Sequence, residues 1–597
     1  MSLKKGEAQP LTTVDAPGII DFPADGPVYR DNKVRPAVAP SSLFIPAMTG
    51  WQRFQVGIMS ALWVAGAVIF MLWWANPSHI IGPVRFAFNT LLLSYLILMP
   101  AIFVWRVHKI CKVSPDVSVP VLRTAFVVTR APSEEWHVVE TTLRAMLNQK
   151  IPIAYDVWLC DERPTSAIRR WCANNGVLLC SRDGVTEYHQ EVWPRRTRCK
   201  EGNLAYFYDT VGYQKYDVVA QLDCDHVPSP TYLAHMLKPF SCDEVGFVAA
   251  PSICDSNAEE SWAARGRLHM ESVFHGPFQA SHNGGMLPIS IGSHYAVRTS
   301  ALRRAGGIGP ELAEDFSTSY LIYQAGYDGA FAIDAEAHGL GPTTCAAMLT
   351  QEFQWTRSLT VLALGLVRRT VRRVPAKTQA RLTFGVTFNA VFGAMALIGT
   401  LLAPASVVFD FPWASINFLE FLVFLNLLSL PLVAMVGLLR GAGLLRPVDS
   451  KIISWELVLY QIVRWPFLVH GTIAGARQVL TGKKTEFRVT PKAMTGVEPF
   501  AFNQLIPLLL VIYVQLIPGI WGLVADRSIG YAGLCLLGAV LYAVAAFSMP
   551  ILHAAELEGV ESDVGPRAQA VAGPAIVAGF TLALCVAAIV WYSIVVF

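Results

Sequence analysis

The stretch VVAQLDCDHV, residues 218–227, decides how the rest of the chain can be arranged. Its apolar, β-branched beginning predicts a short buried strand that leads into Asp223-Cys224-Asp225. Side chains two residues apart in an extended chain point to the same side, so we expect Asp223 and Asp225 to face one way. Two carboxylates just past a buried strand suit a hard divalent cation that also holds a diphosphate. Two solvated aspartates at a strand end would give the same short pattern.

The composition indicates a membrane protein with one large aqueous domain. Of the 597 residues, 53% are hydrophobic and 15% are charged, and the mean hydropathy is +0.42. The segment 122–347 nevertheless contains no apolar run of about 20 residues, which is the length that a helix needs to cross a bilayer. The net charge of +3 is too small to argue for nucleic acid binding. The 11 cysteines form no CxxC pair, which fits free thiols in a reducing cytosol.

Hydropathy and charge divide the chain into seven parts. The basic stretch RVHKICK at 106–112 follows the second apolar run and places the next domain in the cytoplasm. We expect membrane spans at 54–74, 86–105, 382–402, 416–439, 505–524, 531–552 and 571–597, and an interfacial or re-entrant segment at 452–480. The predicted parts are an irregular N-terminal arm without a cleaved signal peptide (1–50), two transmembrane helices (51–105), a cytoplasmic domain (106–350), amphipathic interfacial helices (351–380), two transmembrane helices (381–440), an interfacial segment with a basic loop (441–500) and three transmembrane helices (501–597).

Strand and helix patterns alternate along the cytoplasmic domain. Strands are predicted at 125–129, 156–159 and 177–180, with helices at 135–148 and 168–175 between them. This alternation predicts a parallel sheet with crossover helices. Asp161 then follows a strand end, as Asp223 does, although a turn or helix-capping aspartate would fit the same spacing.

Three later stretches carry groups that could do chemistry. Lys200 follows a basic cluster and opens KEGN, which would meet a diphosphate or belong to a solvated loop. A strand is predicted at 289–297, broken at Gly292. Glu314 and Asp315 open a helix, where acidic residues often serve only as caps. The functional alternative makes Asp315 a general base with its oxygen exposed at the helix start.

Taken in order, these motifs resemble the family-two membrane glycosyltransferases, specifically the cellulose-synthase-like branch that includes curdlan synthases. The resemblance spans residues 124–492 and the flanking apolar segments. It implies an α/β cytoplasmic glycosyltransferase domain, GT-A-like with a mostly parallel sheet, inserted between α-helical transmembrane segments.

The resemblance also implies a role for each matched residue. Glu314 and Asp315 match the catalytic E-D motif, with Asp315 as the base, and Asp223 and Asp225 match the D-x-D motif that binds Mg²⁺ or Mn²⁺. The implied donor-binding residues are Thr129, Asp161, Lys200, Asp223 and Arg357. The implied acceptor-binding residues are Gly292, Ser293, Gln351 and Trp355. The stretch FRVTPK resembles a mobile gating loop, with Phe487, Arg488, Val489, Thr490 and Lys492.

Two motifs depart from the family pattern. The first-strand motif T-Y-N-E is here Thr129-Arg130-Ala131-Pro132, which puts uridine contacts beyond Thr129 in doubt. The family motif Q-x-x-R-W is here QEFQW at 351–355, so Gln354 replaces the arginine that faces the diphosphate. Arg357 lies one helical turn further and is expected to supply some of the missing charge. Its alternative role is a cytoplasmic anchor for the helix, and Lys200 and Arg198 would then be the next candidates.

These expectations describe a processive inverting β-glycan synthase that polymerises UDP-glucose into a β-glucan and exports the chain through its own spans. Its partners would be a UDP-sugar donor, the growing glycan acceptor and the lipid bilayer of a bacterial inner membrane, with accessory export subunits or a homo-oligomer as further partners. Two alternatives stay open: a non-processive transferase acting on a lipid-linked acceptor, and a weakly catalytic export subunit. Polar residues in the predicted spans would line the export path or pack between helices; they are Asn389, Glu420, Asn426 and Gln515.

Overall fold

The computed structural model describes residues 41–190, 200–309, 313–368, 374–483 and 496–596. The predicted N-terminal arm lies outside the described residues up to position 40. The described residues form an α/β domain flanked by long apolar helices.

Short strands run through the first 340 residues. The described strands are β1 (Phe44–Pro46), β2 (Cys111–Val113), β3 (Thr124–Arg130), β4 (Tyr155–Asp161), β5 (Leu178–Cys180), β6 (Val218–Asp223), β7 (Val227–Pro228), β8 (Val245–Ala249), β9 (Ser252–Ile253), β10 (His294–Arg298), β11 (Asp328–Phe331) and β12 (Ala337–His338).

Helices separate these strands and then make up the rest of the chain. The described α-helices are α1 (Gly50–Trp74), α2 (Pro83–Val107), α3 (Trp136–Leu147), α4 (Ser166–Asn175), α5 (Lys200–Phe207), α6 (Tyr213–Lys215), α7 (Tyr232–Leu237), α8 (Trp262–Glu271), α9 (Thr299–Ala305), α10 (Glu314–Gln324), α11 (Cys345–Leu362), α12 (Ala376–Phe409), α13 (Phe418–Gly441), α14 (Trp455–Thr481), α15 (Ile506–Val524), α16 (Ile529–Glu556) and α17 (Val564–Val596).

The central sheet has seven strands in the order β11-β8-β10-β6-β3-β4-β5. Strand β3 pairs in parallel with β4 and β6, and β10 runs antiparallel between β6 and β8. This mixed, mostly parallel sheet confirms the predicted GT-A-like fold class. The strand predicted at 289–297 begins only at His294, because the backbone turns just before it and the His294 N–H donates to the Ile291 carbonyl at 3.0 Å.

The sheet is buried on both faces, which explains why its strands appear as continuous apolar runs in the sequence. All seven residues of β3 are buried. Phe126 and Val128 pack into the core on one face, and Ala125 and Val127 pack into the core on the other. Because both faces are covered, the chemistry of this domain must take place at an edge of the sheet, where the strands end.

Seven helices in the described part of the chain are long and apolar enough to cross a membrane: α1, α2, α12, α13, α15, α16 and α17. Each of the seven predicted spans overlaps one of them. Helix α14 is not in this set and covers the segment predicted to be interfacial or re-entrant. It is one continuous helix that buries Glu456 and Arg464 against its neighbours.

Helix α11 does not lie exposed on a surface, as an interfacial amphipathic helix would. Most of its residues are buried, including polar ones such as Glu352 and Ser358. Helix α14 packs closely along it because Gly471 and Gly475 face α11. A Cβ atom added at Gly475 would lie 2.7 Å from the Arg357 carbonyl oxygen, and one at Gly471 would lie 2.7 Å from the Phe353 carbonyl oxygen.

We expect Gly475→Ala to destabilise the protein by about 1–3 kcal/mol, because the added methyl group forces α14 away from α11. The matched control is Gly399→Ala in α12, where an added Cβ meets nothing within 4 Å. That control should be neutral or stabilising, since alanine is the better helix former by about 1 kcal/mol. The measurement is the thermal unfolding of both variants in the same detergent, and equal transitions would contradict the close-packing argument.

Candidate active site

The parallel register places two acidic side chains at one edge of the sheet. Strand β3 pairs Arg130 with Asp161 on one side and Thr129 with Asp223 on the other. Both aspartates are the last residues of their strands. Asp161, Asp223 and Thr129, predicted from separate parts of the sequence, are therefore brought to the same carboxyl-terminal edge.

Asp161 is held by an arginine that the sequence analysis did not assign to the site. The Arg130 Nη1 lies 3.0 Å from Asp161 Oδ2, and the Asp161 side chain is fully buried. The Arg163 N–H donates to Asp161 Oδ1 at 2.8 Å. The sequence did hold a signal for this contact, because Arg130 departs from the family pattern at the end of its strand. Residues at the ends of two neighbouring parallel strands lie side by side, as Arg130 and Asp161 do.

Lys200 joins three parts of the predicted site. Its ammonium group donates to Asp223 Oδ1 at 2.6 Å and to the Gly292 carbonyl at 2.5 Å, and it lies 3.9 Å from Glu314 Oε1. Burial opposes the charge on Lys200, but the carboxylates of Asp223 and Glu314 outweigh burial and raise its pKa. Lys200 is therefore a fixed positive charge at the sheet edge.

Asp315 stands at the start of α10, close to this lysine cluster. The Phe316 N–H donates to Asp315 Oδ1 at 2.7 Å. A Cβ atom added at Gly292 would lie 3.4 Å from Asp315 Oδ2, so the absence of a side chain at Gly292 leaves this oxygen uncovered on that side. Gly292, which was predicted as an acceptor-binding residue, is thus a spatial neighbour of the acidic motif.

Burial shifts the titration of both acidic residues in this motif. It raises the pKa of Asp315 to about 6, against the opposing effect of backbone N–H groups at Phe316 and Gly292. It also raises the pKa of Glu314 well above its ordinary value, although Lys200 pulls the other way. A carboxyl with a pKa near 6 is suited to accept a proton close to neutral pH.

The second aspartate of the D-x-D motif is more deeply placed than the first. Asp225 is 3% exposed, and its Oδ1 lies 3.4 Å from His226 Nδ1. The Ser293 hydroxyl donates to Ser252 Oγ at 2.9 Å, and the Ser293 carbonyl accepts from the Asp223 N–H at 2.7 Å. The predicted acceptor residue Ser293 thus lies directly beside the D-x-D motif.

Helix α11 presents Gln351 and Trp355 on one face, since they are four residues apart. The guanidinium of Arg267 lies over the Trp355 ring, with its Cζ 4.6 Å from the ring centroid. Arg267 Nη1 also donates to Gln351 Oε1 at 3.2 Å. The helix is tied to the acidic motif because the Ala313 N–H donates to Ser358 Oγ at 3.0 Å. No local pattern in the sequence pointed to Arg267.

The D-x-D strand end and the helix-initiating acidic pair lie within a match to the family model described as glycosyl transferase family group 2, at residues 218–438. This region of the chain therefore resembles the glycosyltransferases of that family group. The match covers the sheet strands β6, β8, β10 and β11, the acidic motif, α11 and α12, and most of α13.

Individual relatives are distant. The cellulose synthase catalytic subunit (UDP-forming) of Xanthomonas axonopodis pv. citri (strain 306) is 24% identical over 239 residues, which is 39% of this chain and 31% of that relative. The mannosyltransferase PcManGT from Pyrobaculum calidifontis, solved with GDP-Man and Mn²⁺, is 16% identical with a TM-score of 0.43, covering 67% of this chain and 99% of that one. A glucosyl-3-phosphoglycerate synthase structure from Mycobacterium tuberculosis, with Mn²⁺, UDP and glucosyl-3-phosphoglycerate, is 15% identical with a TM-score of 0.26, covering 42% of this chain and 81% of that one.

We expect the transfer rate of this glycosyltransferase domain to fall as the pH drops below about 6, because the pKa of Asp315 is raised to about 6 and a protonated carboxyl cannot accept a proton. The sign follows from the role of a base, which is active only when ionised. The measurement is the maximal rate from pH 5 to 8, with nucleotide affinity measured over the same range as the control. A rate that stays level down to pH 5 would contradict this assignment.

Position 354 brings no charge to the glycosyltransferase domain, and Arg357 is engaged elsewhere. Gln354 is buried, and Arg357 Nη1 donates to Gln478 Oε1 on α14 at 2.6 Å. Arg357 is itself 5% exposed and lies against α14. Its predicted contact with the donor diphosphate stays a prediction.

Some predicted residues lie outside the described part of the domain. The gating-loop residues Phe487, Arg488, Val489, Thr490 and Lys492 fall within the gap at 484–495, and Arg198 falls within the gap at 191–199. Of the polar span residues, Asn389 donates to Thr356 Oγ1 at 3.2 Å, and Asn426 donates to the Leu422 carbonyl of its own helix. Asn389 is thus a packing contact with α11, whereas Asn426 hydrogen-bonds within its own helix.

Proposed function

We propose that this protein is a processive inverting β-glycan synthase that polymerises a UDP-sugar, with UDP-glucose as the first candidate donor. The observation that carries the proposal is the proximity of three groups: the raised-pKa carboxyl of Asp315, the Lys200–Asp223 ion pair, and the start of α10 bonded to the helix that carries Trp355. A base, a site for a leaving diphosphate and an aromatic platform are the groups that polymer-forming sugar transfer requires.

The proposed step is a single displacement. The acceptor hydroxyl oxygen forms a bond to the anomeric carbon of the donor sugar, and the bond from that carbon to the diphosphate oxygen breaks. The hydroxyl proton goes to Asp315, and the nucleoside diphosphate leaves with the bonding electron pair, its charge stabilised by Lys200. One displacement inverts the anomeric centre, so an α-linked donor gives a β-linked product.

Mg²⁺ or Mn²⁺ is the proposed cofactor, and Asp223 and Asp225 are the residues that would hold it. Both offer oxygen atoms, the ligands that these hard cations prefer. Within the described residues, no group of three or more His, Cys, Asp and Glu side chains converges on a common point. Two carboxylates thus fit an ion whose remaining ligands come from the donor diphosphate and water. When bound, the ion would neutralise the charge that develops on the leaving group.

Export of the product through the helices is the second part of the proposal. Helix α11, which carries Trp355, packs against α14 and α12, and side chains of both of these helices hydrogen-bond to α16. Trp465 Nε1 donates to Tyr542 Oη at 3.1 Å, and the Thr400 hydroxyl lies 3.3 Å from the same oxygen. Aromatic and hydroxyl side chains within apolar helices suit a sliding glycan. The setting would be a bacterial inner membrane with the catalytic domain in the cytoplasm.

The test is incorporation of radiolabelled sugar by the purified full-length protein. UDP-glucose, UDP-N-acetylglucosamine and GDP-mannose would be supplied separately, and the product sized by gel filtration before and after β-glucanase digestion. We expect long, β-glucanase-sensitive chains from UDP-glucose. Transfer of single sugars to a lipid fraction would instead support the non-processive alternative, and the absence of incorporation from all three donors would contradict the proposed function.

A further inference from the structure

Arg267 forms a small polar cluster around the acceptor platform. Besides its contacts with Trp355 and Gln351, its Nε donates to Glu271 Oε2 at 3.0 Å. The same Glu271 oxygen lies 3.3 Å from His275 Nε2. One arginine thus connects two side chains of the 351–355 motif on α11 to an acidic residue on its own helix.

Arg267 and Glu271 form an ion pair that stays charged near neutral pH. Burial opposes the ionisation of Glu271, but Arg267 and His275 outweigh it and lower the pKa of Glu271 to about 2. Burial likewise opposes the charge on Arg267, but Glu271 outweighs it and raises the pKa of Arg267. Arg267 and Glu271 are 12% and 22% exposed, so this pair is screened less by solvent than a surface pair.

Helix α8, which carries Arg267, is fixed in the fold by two contacts with neighbouring helices. The Ser261 hydroxyl, which caps the start of α8, donates to Glu556 Oε1 on α16 at 2.8 Å. Next to Arg267, a Cβ atom added at Gly266 would lie 2.9 Å from the Glu456 carbonyl oxygen on α14. Helix α8 therefore has little freedom to move relative to the helices that surround α11.

We propose that Arg267 is a positioning residue that holds the Trp355 ring in the orientation in which it carries the acceptor sugar. This role rests on the proposed function. The guanidinium lies over the indole and is itself held by Gln351 and Glu271, so the ring cannot turn away without losing its contact with a fixed cation. A sugar ring that stacks on an aromatic side chain needs that side chain to be held still, because a small misplacement of the acceptor slows transfer.

The contacts of Arg267 favour this role over that of a counter-charge for the diphosphate. Its Nε and Nη1 are already bonded to Glu271 and Gln351, and the Glu271 carboxylate balances its charge. The family motif has its cation inside the helix, at position 354. In this chain Arg267 on α8 instead brings a cation to the motif, and it contacts Trp355.

The experiment separates use of the donor from use of the acceptor. Purified full-length protein receives UDP-glucose, and released UDP and labelled polymer are measured in the same reaction. In Arg267→Ala we expect polymer formed per UDP released to fall at least about tenfold, because water takes the place of the displaced acceptor and the sugar leaves as a free monosaccharide together with UDP, while UDP affinity by calorimetry changes less than about twofold. Arg267→Lys, which keeps the charge opposite Glu271 but loses the planar stack, should show a smaller fall in the same direction.

The matched control is Arg265→Ala. Arg265 lies two residues away on the same helix and pairs with Glu456 at 3.0 Å, away from Trp355. This control should keep the wild-type ratio of polymer to UDP. In a Trp355→Ala background, Arg267→Ala should add no further loss, because a residue that acts through Trp355 has nothing left to position.

Three outcomes would overturn the role of Arg267 in an active enzyme: Arg267→Ala behaving like Arg265→Ala, polymer and UDP release falling by the same factor, or full additivity with Trp355→Ala. If Arg267→Lys unfolds at the same temperature as the wild type, its loss of polymer formation does not arise from misfolding. A wild-type protein that forms no polymer overturns the proposed function and this role with it, so the two failures are distinguishable.

Discussion

The Asp315→Asn substitution is expected to lower the rate of sugar transfer by a factor of about 10² to 10⁴ while nucleotide binding survives. Asparagine keeps the shape of the side chain and can still accept from the Phe316 N–H, but its amide does not accept a proton at neutral pH. Binding should persist because Lys200 and Asp223 stay paired at 2.6 Å without it. The measurements are single-turnover transfer from UDP-glucose and calorimetric UDP affinity.

Asp156→Asn is the matched control for this substitution. Asp156 lies near the start of β4, at the opposite end of the strand from Asp161, and pairs with Lys215 at 2.8 Å. Its replacement should leave the transfer rate within about twofold of the wild type, as expected for a surface substitution away from the site. Near-normal turnover in Asp315→Asn would place the base elsewhere.

The Asp223→Ala substitution is expected to have a comparably large effect, lowering transfer by about 10²-fold or more. It removes a proposed ligand of the divalent cation and leaves the buried ammonium group of Lys200 without its nearest carboxylate. Unlike Asp315→Asn, it should weaken nucleotide binding as well as turnover, because the proposed cation and Lys200 would both contact the diphosphate. The measurements are transfer rate and UDP affinity across a titration of Mg²⁺ and Mn²⁺.

The control is Asp217→Ala, just before the same strand. Asp217 pairs with Arg123 at 2.7 Å at the other end of β6, where both side chains are substantially exposed. It should retain wild-type activity and the same metal requirement. Excess chelator should abolish wild-type transfer, and added Mg²⁺ or Mn²⁺ should restore it. Full activity in chelator would contradict the metal assignment.

Local sequence patterns were sufficient to predict the fold class and the membrane helices. The strands β3, β4 and β6 are mostly buried, so each contains a short apolar run and ends in a polar residue. The spans are recognisable because a bilayer requires a long apolar helix whatever its neighbours are. The same local character of the signal explains the largest error in a strand boundary, since the turn before His294 depends on a hydrogen bond that periodicity does not encode.

The roles of the predicted site residues stay predictions, and the sequence did not show how these residues meet. Thr129, Asp161 and Asp223 are brought together only by the register of three strands from separate parts of the chain. Lys200 reaches Asp223 and Gly292 across 23 and 92 residues of sequence. The sequence by itself supplied the chemical groups, whereas tertiary structure decided which of them are neighbours.

Only the tertiary structure revealed the partners of Arg130 and Arg267. Arg130 holds Asp161 because the ends of β3 and β4 lie side by side, and Arg267 covers Trp355 because α8 docks against α11. Hydrophobic periodicity determines which face of a helix or strand is buried, and this information is local. The partner of a polar side chain depends instead on how separate elements pack and in what register, which no short stretch of sequence specifies.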